Sequence, residues 1–466
     1  MTRFFHYVAV CLAVLVGGYP ARGAEPQWMV GLAQTVITPK MPVYLAGYAN
    51  RNKPFTKVEN DLWAKVLVLQ DAAGHRGVIV TSDLVGFPAS MTEPICQRIS
   101  KQCGLRREEI LINSSHTHTG PLLVADAWAP AAMTEADVER TAAYATWLSD
   151  QVVEVVAKAA ERLAPANLSW GVGVIPFAMN RREYTPKGVI LGVNARGLAD
   201  RQVPVLRIDN SDGTLRAVLF GAAVHGTTLT GNDYELCGDY AGFAQEYVQE
   251  RHPGAQAMFM LGCAGDDNPY PRGTMQLARE HGTTLGKEVE RGLAAKLLPI
   301  SGPLSIAFEQ VELPLQGVPP RDRLEQWVKQ GGTRSMVAKQ FLATLDRGQT
   351  PATTYRCPFT VWQLGQELTL VGLPGEVVVD YVPLLEKALG PNRLWFAAYS
   401  NDVFGYLPSA RVLAEGGYET RGLINGGVGM FDPAAETTVI SAVRKLAVQA
   451  GREVPKDGPA ENAGSK

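Results

Sequence analysis

Short apolar runs bounded by turn residues alternate along this chain with longer amphipathic stretches. The runs "AKVLVLQ" and "GVIVTSDL" flank the turn "DAAGH" and predict a β-hairpin. A helical pattern covers 134–163, opened by the capping signature "TEAD". Further strands are predicted at "PVLRI", "RAVLFGAAV", "AMFML", "PLSIAFEQVEL", "FTVWQL", "ELTLVGL" and "RLWFAAY". Helical patterns occupy 240–250, 274–297, 321–347 with a break near Gly331, 377–389 and 434–450. The order predicts an α/β fold, a single large domain with a mixed β-sheet and surrounding helices. No internal repeat, low-complexity block or linker interrupts it, so the expected domain is 25–450, followed by a disordered polar tail, 451–466.

The N-terminus differs in kind. Arg3, the apolar run "VAVCLAVLVGG" and the small-residue stretch "ARGA" follow the order of a secretory signal peptide, so 1–24 is expected to be removed and the protein to be secreted or periplasmic. The run is shorter than the ~20 residues of a spanning helix, and no later segment predicts a membrane span. Lys and Arg total 44 against 46 Asp and Glu, spread evenly, which offers no basic stripe for nucleic acid. Outside the signal segment the cysteines are Cys96, Cys103, Cys237, Cys263 and Cys357. Their odd number and irregular spacing predict buried thiols rather than a disulfide framework.

Candidate chemistry lies where the predicted strands end. His116 follows "ILINSS", His225 follows "AVLFGAAV", "GCAGDDNPYPRG" follows "AMFML", Glu376 follows "LTLVGLPG", and Tyr406 comes shortly after "LWFAAYS". Loops beyond the carboxyl ends of parallel strands assemble sites in α/β sheets, so these five point to one pocket. His75, His252 and His281 fall in polar turns or on helix surfaces. In an extended segment His116 and His118 face the same way, and with His225 they offer either structural imidazoles or ligands to one ion. Three protein ligands and an open position are what a catalytic zinc requires.

The motifs "NSSHTHTGP", "VHGTTLTGN" followed by "GDYAGFAQEY", "LGCAGDDNPYPRG", "LPGEVVVDY" and "SNDVFGYLPSARVLAEGGYE" carry a resemblance to the neutral (non-lysosomal) ceramidase family, from about Gly31 to Val443. The resemblance implies a zinc amidohydrolase that cleaves the N-acyl bond of ceramide. It further implies His116, His225, Glu376 and Tyr406 as ligands of Zn2+, and His118 as a non-ligand donor to the developing oxyanion. Arg181, with Arg182 adjacent, and Tyr418 match other polar groups of that site. Tyr399 is a rival ligand to Tyr406, Glu376 is equally readable as a first-turn helix acid, and Asp239 as either an acceptor for His225 or a helix cap.

The chain departs from the family where the nucleophile is expected. The family pattern Ala/Val-Gly-Asp-x-Ser-Pro-Asn is "AGDDNPY" here, so Asn268 stands at the serine position. An amide is no such nucleophile, and the expectation becomes a zinc-activated water with Asp267, or else Asp266, as general base and Asn268 binding substrate. The resemblance implies an immunoglobulin-like C-terminal domain, and the polar tail after Ala450 is expected not to provide one, an expectation that weakens a lipid-surface reading. The leading expectation is an exported zinc hydrolase acting on a small-molecule or lipid-like N-acyl substrate. The alternatives are a zinc hydrolase of a polar or carbohydrate substrate and a non-catalytic zinc-containing binding protein. An ordinary amidohydrolase barrel is disfavoured, since only His225 is placed to supply its later ligands.

Overall fold

The run 64–69 shows no hydrophobic alternation because both faces of its strand are covered. In the strand Trp63–Asp71, Ala64, Val66 and Val68 enter a core shared with the helices Ala89–Cys103 and Glu135–Ala160. Leu67 and Leu69 enter a second core, between two sheets. A strand buried on both sides has no polar face to display. The computed structural model describes residues 28–124 and 130–456; the expected signal segment 1–24 and the distal part of the polar tail lie outside the described residues.

The main sheet runs, in spatial order, Gln256–Leu261, Leu215–Ala222, Gln202–Asn210, Ala164–Val174, Trp28–Val36, Trp63–Asp71, Arg76–Ser82, Ile110–Ser114. A second sheet, Leu304–Pro314, Thr354–Leu364, Leu368–Gly372 and Leu394–Ala397, packs on it through Trp28, Leu111, Trp362 and Trp395. The helices Asp239–Arg251 and Met275–Ala294 cover the outer side of the main sheet together with the pair named above, and Ala434–Gln449 covers the second sheet. The mixed sheet with surrounding helices is therefore a layered arrangement of helices, sheet, sheet and helices.

Antiparallel neighbours predominate in the main sheet, but the strands that lead to the candidate residues have parallel partners. Ile110–Ser114 lies parallel to Arg76–Ser82, and Leu215–Ala222 parallel to Gln256–Leu261. Leu368–Gly372 lies parallel to Leu394–Ala397, and the two-residue strands Glu376–Val377 and Tyr406–Leu407 pair in the same sense. The two edges of the main sheet meet at Asn113, whose amide group donates to the carbonyl of Ala398 at 2.6 Å and accepts from the N–H of Leu261 at 2.9 Å. One side chain thus ties the loop after the second sheet to both edges of the first.

The predicted elements recur with small shifts. The hairpin pairs Gln70 with Arg76, and Thr134 and Asp137 form the reciprocal cap of the helix Glu135–Ala160. The helical pattern 321–347 breaks at Gly331, φ +73°, into Arg321–Gln330 and Gly332–Asp346. The pattern at 377–389 yields a helix only from Tyr381, because Glu376 and Val377 are held as strand. Ala89–Cys103 was not legible as a helix, since it carries Pro94 in its interior. The five cysteines are free and, except for half-buried Cys103, buried. Arg452, at the start of the polar tail, donates to the carbonyls of Leu389, Gly390 and Asn392.

Candidate functional site

His116 leaves its strand in the left-handed region, φ +56°, an uncommon conformation for a non-glycine residue. The expectation that strand alternation brings His116 and His118 to one face is thereby corrected. They converge through a tight turn, with Nε2 atoms 3.1 Å apart. The loop carrying His225 lies alongside: Thr117 bridges Gly226, and the N–H of His118 donates to the Gly226 carbonyl at 2.9 Å. Glycine is required there because a Cβ on Gly226 would stand 2.5 Å from the His116 carbonyl oxygen.

Both rings have a fixed tautomer. Nδ1 of His116 donates to the Val85 carbonyl, and Nδ1 of His225 donates to the Ala264 carbonyl at 2.8 Å. A carbonyl only accepts, so each Nδ1 carries the proton and each Nε2 presents a lone pair. Those two Nε2 atoms stand 3.1 Å apart, and Oε2 of Glu376 lies 3.3 Å from each. Burial, followed by Arg181 and the neighbouring histidines, holds His225 well below its ordinary pKa, so the ring is neutral. Two lone pairs and a carboxylate oxygen facing one another in a buried space repel unless a cation lies among them, and this donor set fits a divalent metal.

Glu376 and Tyr406 are register partners in their short parallel ladder, which brings the phenol beside the carboxylate. The Tyr406 hydroxyl faces Glu376 and accepts from Arg181 Nη2 at 3.0 Å. Burial alone would raise the Glu376 carboxyl, but His116, Tyr406 and Arg181 together hold it below its ordinary value. Tyr399 is differently placed. Its hydroxyl lies 3.5 Å from His225 Nδ1, on the side of the ring away from the cluster.

His118 differs from the other two histidines. Its Nε2 points into the cluster, while its Nδ1 is buried without a hydrogen-bond partner among the described residues. Burial, then His116 and Arg51, pushes its pKa well down. No carbonyl fixes its tautomer. His116, His118 and His225 together form a buried group able to hold a metal ion.

His116, His118, Glu376 and Tyr406 line one wall of a cavity of about 320 Å³ whose other walls include Leu45, Leu122, Leu123, Met336, Val403 and Ile424, with Tyr418 and Arg421 also on its surface. Arg181 lies behind Tyr406, and the Asn268 Oδ1 accepts from Thr227 Oγ1 at 3.1 Å and from Arg181 Nη1 at 3.4 Å. Asp266 and Asp267 are turned to other partners. Asp266 accepts from the Val379 N–H at 2.7 Å and from Asn180 Nδ2 at 3.1 Å. Asp267 accepts from the Asp200 N–H at 3.3 Å. The cavity lining includes neither carboxyl, nor His225, Arg181 or Asn268, which lie behind His116 and Tyr406. Asp239 accepts from the N–H groups of Leu229 and Tyr240, leaving Ala264 as the partner of His225. His281, expected on a helix surface, is buried against Phe177.

Sequence reasoning passed over Glu419 and Arg51. Glu419 is fully buried and accepts from Arg181 Nε at 2.9 Å and Arg182 Nη1 at 2.6 Å; its signal was adjacency to Tyr418 in "GGYE". Arg51 is a buried guanidinium that donates to the carbonyls of Ala46, His118 and Asp233, gathering three loops around His118. Nothing in "GYANRNK" marks it from an exposed arginine.

A family model described as neutral/alkaline non-lysosomal ceramidase, N-terminal, matches residues 28–271, more than half of the chain. The neutral ceramidase of Pseudomonas aeruginosa is 26% identical over 279 residues, 57% of this chain and 40% of that protein. Neutral ceramidase B of Dictyostelium discoideum is 24% identical over 251 residues, 50% of this chain and 34% of that protein. The matches therefore span well under half of either relative's length. The crystal structure of the Pseudomonas aeruginosa neutral ceramidase superposes with a TM-score of 0.69 at 20% identity, covering 91% of this chain and 75% of that chain. A ceramidase complexed with C2 superposes with a TM-score of 0.70 at 20% identity, covering 94% and 77%. At this identity the superpositions establish a common fold.

Proposed function

Because the chain belongs to the neutral/alkaline non-lysosomal ceramidase family, we propose that it is a metal-dependent hydrolase that cleaves the amide bond of an N-acylated substrate. The observation that carries this reading is the pair of opposed lone pairs on His116 and His225, 3.1 Å apart, beside Glu376 at the base of a largely aliphatic cavity. His116, His225, Glu376 and Tyr406 would hold the ion, with zinc the best match to two imidazoles and two oxygen ligands. When bound, zinc supplies Lewis acidity, polarising a carbonyl and acidifying water.

The remaining work falls to the chain's own groups. His118, whose imidazole has no carbonyl fixing its tautomer, would take the proton of the attacking water at Nε2, the nitrogen that faces the cluster, and return it to the departing amine nitrogen. With Asp266 and Asp267 engaged elsewhere, this role passes from them to His118. Asn268 keeps its Nδ2 for a substrate acceptor, since its Oδ1 already takes two donors. The aliphatic wall suits an acyl chain by burying apolar surface, at about 25 cal/mol per Å². This favours an N-acyl substrate over a carbohydrate. We further propose export to the periplasm or medium, on the order of charges and apolar residues in 1–24. No helix among the described residues is long and apolar enough to cross a membrane.

Zinc content measured alongside a panel of fluorogenic N-acyl amides and a panel of glycosides tests the reading. Metal-dependent amide turnover is the expected result. Glycoside turnover instead would support a carbohydrate substrate, and tight metal with ligand binding but no turnover would make the protein a binding protein.

A further inference from the structure

Arg181 and Arg182 are consecutive on the strand Ala178–Thr185, and neighbours on a strand ordinarily face opposite ways. The register of that strand shifts between Asn180 and Arg182, and the irregularity turns both guanidinium groups towards the same carboxylate, Glu419. The outer arginine has other support: Arg182 Nη2 donates to Glu415 at 3.1 Å and to the Gly416 carbonyl at 2.8 Å. The remaining donors of Arg181 go only to site residues, Nη2 to the Tyr406 hydroxyl at 3.0 Å and Nη1 to Asn268 Oδ1 at 3.4 Å. Glu419 is shielded from solvent, as are Arg181 and Arg182. A buried carboxylate on a fixed guanidinium holds its plane as well as its position.

We propose that Glu419 is a positioning residue of the site: by fixing the plane of Arg181 it sets the direction of the Tyr406 hydroxyl towards Glu376 and the direction of the Asn268 amide towards substrate. The inference rests on Tyr406 being a metal ligand. A chain of contacts runs inward from Glu415 through Arg182 and Glu419 to Arg181, and only the last two links reach the site. Glu419→Gln keeps the size and one acceptor oxygen but places an N–H₂ group against a guanidinium, so Arg181 loses one of its anchors and rotates. Glu419→Asp keeps the charge one methylene further back. Glu415→Gln alters only the outermost link.

The test uses full-length protein loaded with cobalt(II), whose visible absorption reports ligand geometry, and compares wild type with the three variants for spectrum, metal per chain, kcat and KM. Glu419→Gln is expected to retain metal, shift the cobalt bands and lower kcat at least tenfold with a smaller change in KM. Glu419→Asp is expected to recover part of both signals, and Glu415→Gln to match wild type. An unshifted spectrum with wild-type kcat in Glu419→Gln overturns the inference, as does an equal effect in Glu415→Gln. If Glu419→Gln does not fold, the Glu419→Asp spectrum carries the test, and an unshifted spectrum there overturns it. A wild type that binds cobalt but hydrolyses no amide refutes the proposed activity while the spectra still judge Glu419. A wild type that binds no cobalt removes both.

Discussion

The Nε2 atoms of His116 and His225 stand 3.1 Å apart, each aimed by a main-chain carbonyl on the opposite ring nitrogen, Val85 for the first and Ala264 for the second. A tautomer locked in this way is what a metal-binding imidazole needs, and it separates these two histidines from His118. Purified protein is expected to hold about one zinc per chain, and His225→Ala to lose most of it. His118→Ala is expected to keep the metal and lose activity. Elemental analysis of wild type and of the His225→Ala, His118→Ala and His116→Ala variants checks this, and an emptied site in His118→Ala with a filled one in His116→Ala would reverse the assignment. Removing zinc from wild type with a chelator is expected to lower the melting temperature, since an ion bound at a hundredfold over its Kd stabilises the native state by about 2.7 kcal/mol.

Much of this site was readable because polar residues sit abruptly at the ends of apolar runs. "ILINSSH" and "AVLFGAAVH" announce buried strands that end in histidines, and the parallel partners of those strands bring the ends together. The orientation of side chains within the loops was not readable. Asp266 and Asp267 precede Asn268 and look equivalent in "GDDN", yet one carboxyl ends on the Val379 N–H and the other on the Asp200 N–H. Those partners are more than sixty residues distant in the chain, so no local pattern encodes them. Arg51 and Glu419 were missed for the same reason: a buried charge is marked by its distant partners, not by its neighbours in sequence.

Gly47 has a φ of +88°, and a Cβ there would lie 2.3 Å from Nδ1 of His118. Gly47→Ala therefore combines backbone strain of about 1–2 kcal/mol with displacement of the ring. It is expected to lower the melting temperature and cut kcat by at least tenfold while metal content holds. Removing the ring removes the collision, so the double variant Gly47→Ala with His118→Ala is expected to regain part of the lost stability relative to the sum of the single changes. Strict additivity in thermal melts would show that His118 does not pack where this argument requires.

Burial raises the Asp267 carboxyl well above its ordinary pKa, and its Oδ1 has no hydrogen-bond partner among the described residues. Asp267→Asn is therefore expected to leave kcat within about threefold, where loss of a general base would cost about 10²–10⁴. Asp266 is different, because two N–H donors end on its carboxyl and an amide there would set an N–H₂ group against one of them. Asp266→Asn is expected to cost about 1–3 kcal/mol of stability without a matching loss of kcat. Burial lifts the Asp266 carboxyl to about 6. The native state thus binds its proton more tightly than the unfolded chain, and its contribution to stability falls as pH rises from the unfolded value, about 4, through 6. Urea titrations at several pH values are expected to show the gap between wild type and Asp266→Asn widening as pH falls through that window. A hundredfold fall in kcat for either substitution, with metal retained, would return the base to that aspartate.

The resemblance read from the sequence puts Asn268 at the family's serine position, and the hydrogen bonds at its Oδ1 orient the amide. Arg181 can only donate, so the atom 3.4 Å from its Nη1 is the oxygen, and Thr227 reaches the same oxygen at 3.1 Å. Nδ2 has no partner among the described residues and is the proposed donor to substrate. Asn268→Ala removes it and is expected to raise KM roughly three- to tenfold, corresponding to about 0.5–1.5 kcal/mol for one hydrogen bond, with a smaller change in kcat if the bond is as strong in the ground state as in the transition state. Asn268→Asp separates donor from scaffold: its oxygens still accept from Thr227 and Arg181, but it has no N–H to give. If substrate is held by Nδ2, Asn268→Asp is expected to bind as poorly as Asn268→Ala although the contacts behind it survive. A wild-type KM in Asn268→Asp, measured by steady-state kinetics on the same amide, would mean that Asn268 serves only to receive Arg181 and Thr227 and does not touch the substrate.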